Sequence, residues 1–153
     1  MDKVDQALDS FKRFFNCSQA IASTYGPEFG LDCETALKAS ALFGGGIARS
    51  GETCGAVTGA LMVVGLALGR ANVEDKKALE EANRAAALFM EKFKQRNFTV
   101  RCKELLGCEV GTTEGMKFLK ENNLREQLCS HFVKDAAEIL EEILSSGVGA
   151  DSE

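Results

Sequence analysis

An all-α fold, a compact single-domain helical bundle of about six to seven helices, follows from three features of the sequence. Apolar side chains recur at three- and four-residue steps through nearly every segment. No stretch of useful length alternates apolar and polar residues as a half-buried strand would. Glycine, proline and asparagine fall between the periodic segments, where they end helices.

The elements follow in order. Val4, Ala7, Phe11, Phe14, Phe15, Ser18 and Ala22 predict a first helix from about 3 to 24, ended by Tyr25-Gly26-Pro27. Asp32 stands as the N-cap of a second, about Cys33 to Phe43, which stops at Gly44-Gly45-Gly46. The third covers about 54–69 and is built of small residues. Its Gly55 and Gly59, then Gly65 and Gly69, fall four apart, so two bare strips of backbone are expected to face neighbouring helices.

A long amphipathic helix is expected from Glu74 to Arg96, with Ala78, Leu79, Ala82, Ala85, Ala86, Phe89 and Phe93 inward. Thr99 reads as the cap of a short helix, Val100–Leu106, closed by Gly107. Thr112 or Thr113 opens another to about Glu121, and Asn122-Asn123 turns the chain. The last helix is expected from about Leu124 to Leu144, with Leu128, Phe132, Val133, Ala136, Leu140 and Ile143 as its stripe.

The chain has 153 residues, 45% hydrophobic and 27% charged, which is one globular domain's worth of core. The domain is read as residues 1–144, followed by a flexible Gly/Ser/acidic tail at 145–153. Residues 1–70 carry 13 of the charged side chains and 71–153 carry 28, so the first half is the closely packed one. A net charge of −5 argues against nucleic-acid binding. The polar start Met1-Asp2-Lys3-Val4-Asp5 is not a secretory signal. The uncharged run from Thr53 to Gly69 is marginal for a bilayer and reads as a buried helix, so no membrane insertion is expected. These features predict a cytoplasmic protein, where structural disulfides are rare. Its six cysteines then call for metal binding or thiol redox chemistry.

Cys17, Cys33, Cys54, Cys102, Cys108 and Cys129 include no pair two or three apart. That spacing excludes zinc knuckles, the thioredoxin motif, haem attachment and clustered ferredoxin runs. A site must be assembled by the fold from distant segments. Cys54 and Cys102 fall at expected helix starts, where free N–H groups and the dipole favour thiolate. Cys129 falls on the apolar arc of the last helix, and Cys17 at the edge of the first helix's arc. Cys33 and Cys108 read as inert small hydrophobes.

Four blocks in order carry a family resemblance. They are Asn16-Cys17-Ser18-Gln19-Ala20, Gly44-Gly45-Gly46-Ile47 with Cys54-Gly55-Ala56-Val57-Thr58-Gly59-Ala60, Cys102-Lys103-Glu104-Leu105-Leu106-Gly107, and Cys129 before Val133 and Ala136-Ala137. They resemble the redox-active proteins named for a Cys…CGAxxG…Cys…Cys pattern, over roughly residues 11 to 140. The resemblance implies Cys17, Cys54, Cys102 and Cys129 as the functional quartet. A similar helical domain occurs in haem-bearing electron-transfer proteins, where an iron–sulfur cluster is associated with the fold. With no CxxCH and one His, covalent haem does not carry over, but the iron–sulfur expectation does. Gly55 and Gly59 would shape the pocket or simply let helices pack.

The expectation is an electron-transfer or redox-sensing protein rather than a classical enzyme, with iron–sulfur or another thiolate-bound metal at the quartet. It would have a redox partner protein and a composition compatible with a homodimer. The alternatives are a metal-free thiol–disulfide protein and a helical interaction module with inert cysteines. Gly46-Ile47-Ala48-Arg49-Ser50-Gly51-Glu52-Thr53 approaches a phosphate-binding loop but has Glu52 at its lysine position, which repels phosphate. His131 falls on the outer side of its helix, and Glu80-Glu81 and Glu141-Glu142 read as solvated faces. Lys92, Lys94, Arg96, Arg101 and Lys103 gather positive charge near Cys102, which would depress its pKa, dock an acidic partner or only solubilise the surface.

Overall fold

The computed structural model describes residues 1–13 and 15–146, so the stripe position Phe14 and most of the expected tail (147–153) lie outside the described residues. Eight α-helices follow one another: α1 Lys3–Lys12, α2 Cys17–Tyr25, α3 Cys33–Ser40, α4 Gly55–Leu68, α5 Lys76–Asn97, α6 Cys102–Leu106, α7 Thr113–Glu121 and α8 Ser130–Ser145. Single 3-10 turns follow α2 and α3, and a π-helical turn, Arg125–Cys129, leads into α8. Among the described residues there is no strand, only one isolated bridge between Thr53 and Arg101. No described helix is long and apolar enough to cross a membrane.

The helices are one more than the upper expectation because the first one is split. α1 ends at Lys12, and Asn16 starts α2 with a reciprocal capping box in which its side chain accepts from Gln19 N–H and Gln19 accepts from Asn16 N–H. The apolar period runs on across the break, which hid it. Other boundaries match: Asp32 accepts from Thr35 N–H, Thr112 from Gly115 N–H, and Gly107 closes α6 at φ +69°. At α6 the cap falls two residues late, on Arg101, whose N–H donates to Thr99 Oγ1.

α4 packs against α2, α5 and α8, and α8 also meets α1, α2 and α5. Ile21, Tyr25, Val57, Val63, Val64, Phe89, Phe93, Val133, Ile139 and Leu140 fill the space between them, all essentially without solvent contact. The predicted bare strips prove unequal. Gly55 and Gly59 do face α2, where an added Cβ would lie 2.9 Å from Ser18 N and 2.8 Å from Ser18 O respectively. Gly65 faces open space instead.

Among the described residues one charged group sits inside this packing. Asp135 on α8 is buried, and it accepts from Arg96 at 3.1 Å and from Asn97 at 3.1 Å on α5, with His131 at 3.3 Å. Arg96 also reaches Glu138 and Glu142. His131 itself is exposed, as its position on the helix required.

Candidate functional site

Each quartet cysteine stands at the end of a helix. Cys17 is the first residue of α2, Cys54 caps α4, Cys102 is the first residue of α6, and Cys129 ends the π-turn before α8. Three local devices bring them together.

The first is a short antiparallel pairing. Cys54 N–H donates to Val100 O at 2.7 Å, Cys102 N–H to Glu52 O at 2.6 Å, and Lys103 N–H to Gly51 O at 3.1 Å. These bonds lay the entry to α4 beside the entry to α6, with Cys54 opposite Val100 and Cys102 opposite Glu52, so the two cysteines stand diagonally across one short pairing. The second device is the α2 cap. Asn16 Nδ2 donates to Ala41 O at 2.9 Å and Gln19 Nε2 to Leu37 O at 3.0 Å, which fixes the start of α2 against α3 and the glycine loop. The third is Arg125 in the π-turn. Its guanidinium donates to the carbonyls of Phe11, in the last turn of α1, and Phe15, in the break before α2, and lies 3.9 Å from the Phe11 ring centroid. It ties the turn carrying Cys129 to the segment carrying Cys17. A π-turn inserted before a helix is a recurrent device at functional sites.

The resulting thiols influence one another. Cys17 is raised well above the usual thiol range, first by its hydrogen bond to Cys129, then by that to Cys54, with burial adding to both. Cys54 is lowered: the Cys17 hydrogen bond favours its thiolate most, and the backbone N–H groups of Ala56 and Val57 at the head of α4 help to outweigh burial. Cys102 is pushed up to about 12 by burial, with the charges of Cys54, Cys129 and Cys108 acting in the same direction. Burial and these contacts therefore favour the thiolate at Cys54 and the protonated thiol at Cys17 and Cys102.

The expectation for Cys102 is thus corrected. Its helix has five residues, too short a dipole to offset burial. Four of the five basic neighbours are engaged elsewhere: Arg101 and Lys103 pair with Glu52 at 3.3 and 3.7 Å, Lys92 with Glu142, and Arg96 with Asp135. Cys108 also departs from its expected place outside the site. It borders the group, and its own pKa is raised by partial burial and by Cys129. Nothing in its sequence position signals this. Cys33, at the start of α3, is exposed and apart.

Glycines make the close approach possible. An added Cβ at Gly46 would lie 2.7 Å from Cys102 Cβ, and one at Gly55 would lie 3.2 Å from Cys17 Cβ. Gly44 fits against the Asn16 side chain, where a Cβ would come within 2.6 Å of Nδ2. Gly45, Gly46, Ile47, Ala48 and Arg49 form an unbroken run of left-handed residues, φ +51° to +74°. Three of these carry side chains, each held at a cost of about 1–2 kcal/mol. Ile47 N–H and Ala48 N–H bond back to Phe43 O and Leu42 O, and Glu52 N–H to Gly46 O, so the coil is hydrogen-bonded onto the site. Ala48 is exposed, so Ala48→Gly relieves its strain without losing contacts. Net of the extra freedom gained by the unfolded chain, a stabilisation of about 0.5–1 kcal/mol is expected in denaturant unfolding.

In chemical terms the arrangement offers four soft sulfur donors in a sheltered place, one of them already favoured as thiolate. Cys17 hydrogen-bonds to Cys129 and to Cys54, whereas Cys102 meets the others only through charge, and among the described residues no three His, Cys, Asp or Glu side chains are grouped at a spacing that would hold a metal ion. The donor type nonetheless fits a thiolate-bound metal or iron–sulfur cluster, because such groups take deprotonated cysteines. Glycine at positions 46 and 55 leaves the cysteines free of crowding by neighbouring Cβ atoms.

The four cysteines thus stand at four separate helix ends, Cys54 and Cys102 buried and Cys17 and Cys129 partly so. The sequence matches, over residues 15–143, the family described as "Putative redox-active protein (C_GCAxxG_C_C)", and the chain belongs to that family. Where the family's name has Gly-Cys-Ala-x-x-Gly, this chain reads Cys54-Gly55-Ala56-Val57-Thr58-Gly59, with the first two residues in the opposite order. Searches of curated proteins and of solved structures returned no match.

Proposed function

We propose that this redox-active protein carries electrons or senses redox state through an iron–sulfur cluster, or another thiolate-bound metal, held by Cys17, Cys54, Cys102 and Cys129. The observation that supports this most is that Cys17 hydrogen-bonds to both Cys54 and Cys129, with Cys54 favoured as thiolate and Cys102 near enough to feel the charges of Cys54 and Cys129. Bound there, such a group supplies one-electron transfer. Cys54 presents the first ligand, with its charge stabilised by the head of α4. Cys17 and Cys102 are thiols at neutral pH, so metal uptake releases their protons. Gly55 and Gly59 keep the α2–α4 seam narrow. The free thiols suit a reducing cytoplasm. The reading implies a redox partner protein, and light scattering of the purified chain decides whether it meets that partner as a monomer or as a homodimer.

Cysteine-to-serine changes test the ligand set. After anaerobic reconstitution with ferrous iron and sulfide, Cys17→Ser, Cys54→Ser, Cys102→Ser and Cys129→Ser are each expected to lose most of the visible absorbance. Cys33→Ser is expected to retain all of it. Equal absorbance in all five variants would contradict the assignment.

The contact between Cys17 and Cys54 favours a second reading, a metal-free dithiol. A thiolate hydrogen-bonded to a thiol can form a disulfide by giving two electrons and one proton to an external disulfide, which leaves as one thiol and one thiolate. Thiol titration of metal-free protein before and after strong reductant, with mapping of any Cys17–Cys54 bridge, separates this from ligation.

A further inference from the structure

Ser18 follows Cys17 in the first turn of α2 and is completely buried. Its Oγ is buried with no hydrogen-bond partner, and among the described residues no other buried side-chain nitrogen or oxygen is in that condition. Such an orphan hydroxyl carries an uncompensated desolvation cost, and alanine would fill the same space without it. Ala20 and Ala22 occupy equally enclosed positions on the same helix.

The placement of Ser18 narrows what the hydroxyl is for. Its backbone lies against the first turns of α4: a methyl at Gly55 would stand 2.9 Å from Ser18 N, and one at Gly59 would stand 2.8 Å from Ser18 O and 3.1 Å from Ser18 Cα. Cys17 precedes it on α2, and Cys54 caps the helix it packs on. The residue that carries the unused donor therefore lines the α2–α4 seam, directly after Cys17 and against the helix that Cys54 caps. The acceptors special to that seam are sulfur atoms. Hydrogen bonds to the sulfurs of a metal–thiolate or iron–sulfur group are among the main protein levers on its potential.

We propose that the Ser18 hydroxyl donates a hydrogen bond to a sulfur of the group held by the quartet, a ligand thiolate or a bound sulfide, and so raises its reduction potential. Donation to sulfur favours the more electron-rich, reduced state. This inference rests on the thiolate-ligand reading above.

The test compares wild type with Ser18→Ala, both reconstituted anaerobically with ferrous iron and sulfide. Three quantities are read: iron and sulfide content, midpoint potential by mediated titration, and thermal unfolding of the metal-free proteins. Ser18→Ala is expected to load as wild type does and to melt at the same or a higher temperature when metal-free. Its midpoint is expected to shift negative, lowering the reduced-to-oxidised ratio several-fold at a fixed potential. An unchanged midpoint with raised thermal stability would overturn the proposal and leave Ser18 as a packing defect only. Wild-type protein that takes up neither iron nor sulfide would overturn the thiolate-ligand reading itself, and Ser18's role with it.

Discussion

Gly46→Ala is expected to disable the site without touching a cysteine. The new methyl would stand 2.7 Å from Cys102 Cβ and 2.6 Å from Glu52 N, and Gly46 already sits at φ +74°. Glu52 N–H donates to Gly46 O and Glu52 O accepts from Cys102 N–H, so the clash falls on the backbone pairing that joins the entries to α4 and α6. Left-handed strain costs about 1–2 kcal/mol and backbone overpacking about 1–3 kcal/mol, so a total near 3 kcal/mol is expected. Denaturant unfolding reads the stability, and iron uptake after reconstitution reads the site. Wild-type stability together with wild-type uptake would refute the cradle described for Cys102. Ala48→Gly, two residues along the same coil, is expected to move stability the other way, which separates the site clash from a general sensitivity of the loop.

The second large effect belongs to the α2–α4 seam. Gly59→Ala places a methyl 2.8 Å from Ser18 O and 3.1 Å from Ile21 Cβ, both within a helix that cannot yield locally. A loss of about 1–3 kcal/mol is expected, lowering the melting temperature by roughly 2–4 °C per kcal/mol for a chain of this size. Gly65→Ala, on the same helix but facing open space, is expected to be neutral or to stabilise by up to about 1 kcal/mol through helix propensity. Matching losses at both positions would mean that α4 is sensitive to any methyl rather than to contact with α2.

These two glycines also show what the sequence made legible. The four-residue spacing of Gly55 and Gly59 announced a close helix crossing, and the crossing is there. The same spacing at Gly65 announced another that does not exist, because spacing names a bare face without naming its neighbour. The all-α class and most helix ends were readable from apolar period and caps. The split after α1 was also written in the chain, as Asn16 and Gln19, but the apolar rhythm running across it is the stronger signal.

The site was legible as a set of residues and not as a geometry. The ordered blocks named Cys17, Cys54, Cys102 and Cys129. Their approach depends on a single bridge between Thr53 and Arg101, which is too short to leave an alternating pattern. It also depends on Arg125 reaching back more than a hundred residues to two carbonyls, a contact no local rule anticipates. The left-handed coil is announced by Gly45 and Gly46 but continues through Ile47, Ala48 and Arg49, which disfavour it. The pKa of Cys102 went against its helix-start position because burial is a tertiary property.

The measurement that bears most directly on the central claim is the iron and acid-labile sulfide content of protein purified without oxygen, taken with its visible spectrum. The account predicts a coloured protein with iron and sulfide in stoichiometric amounts, the colour bleaching on reduction. A colourless protein that holds no iron, zinc or sulfide even after reconstitution would contradict thiolate ligation and leave the Cys17–Cys54 dithiol as the working chemistry.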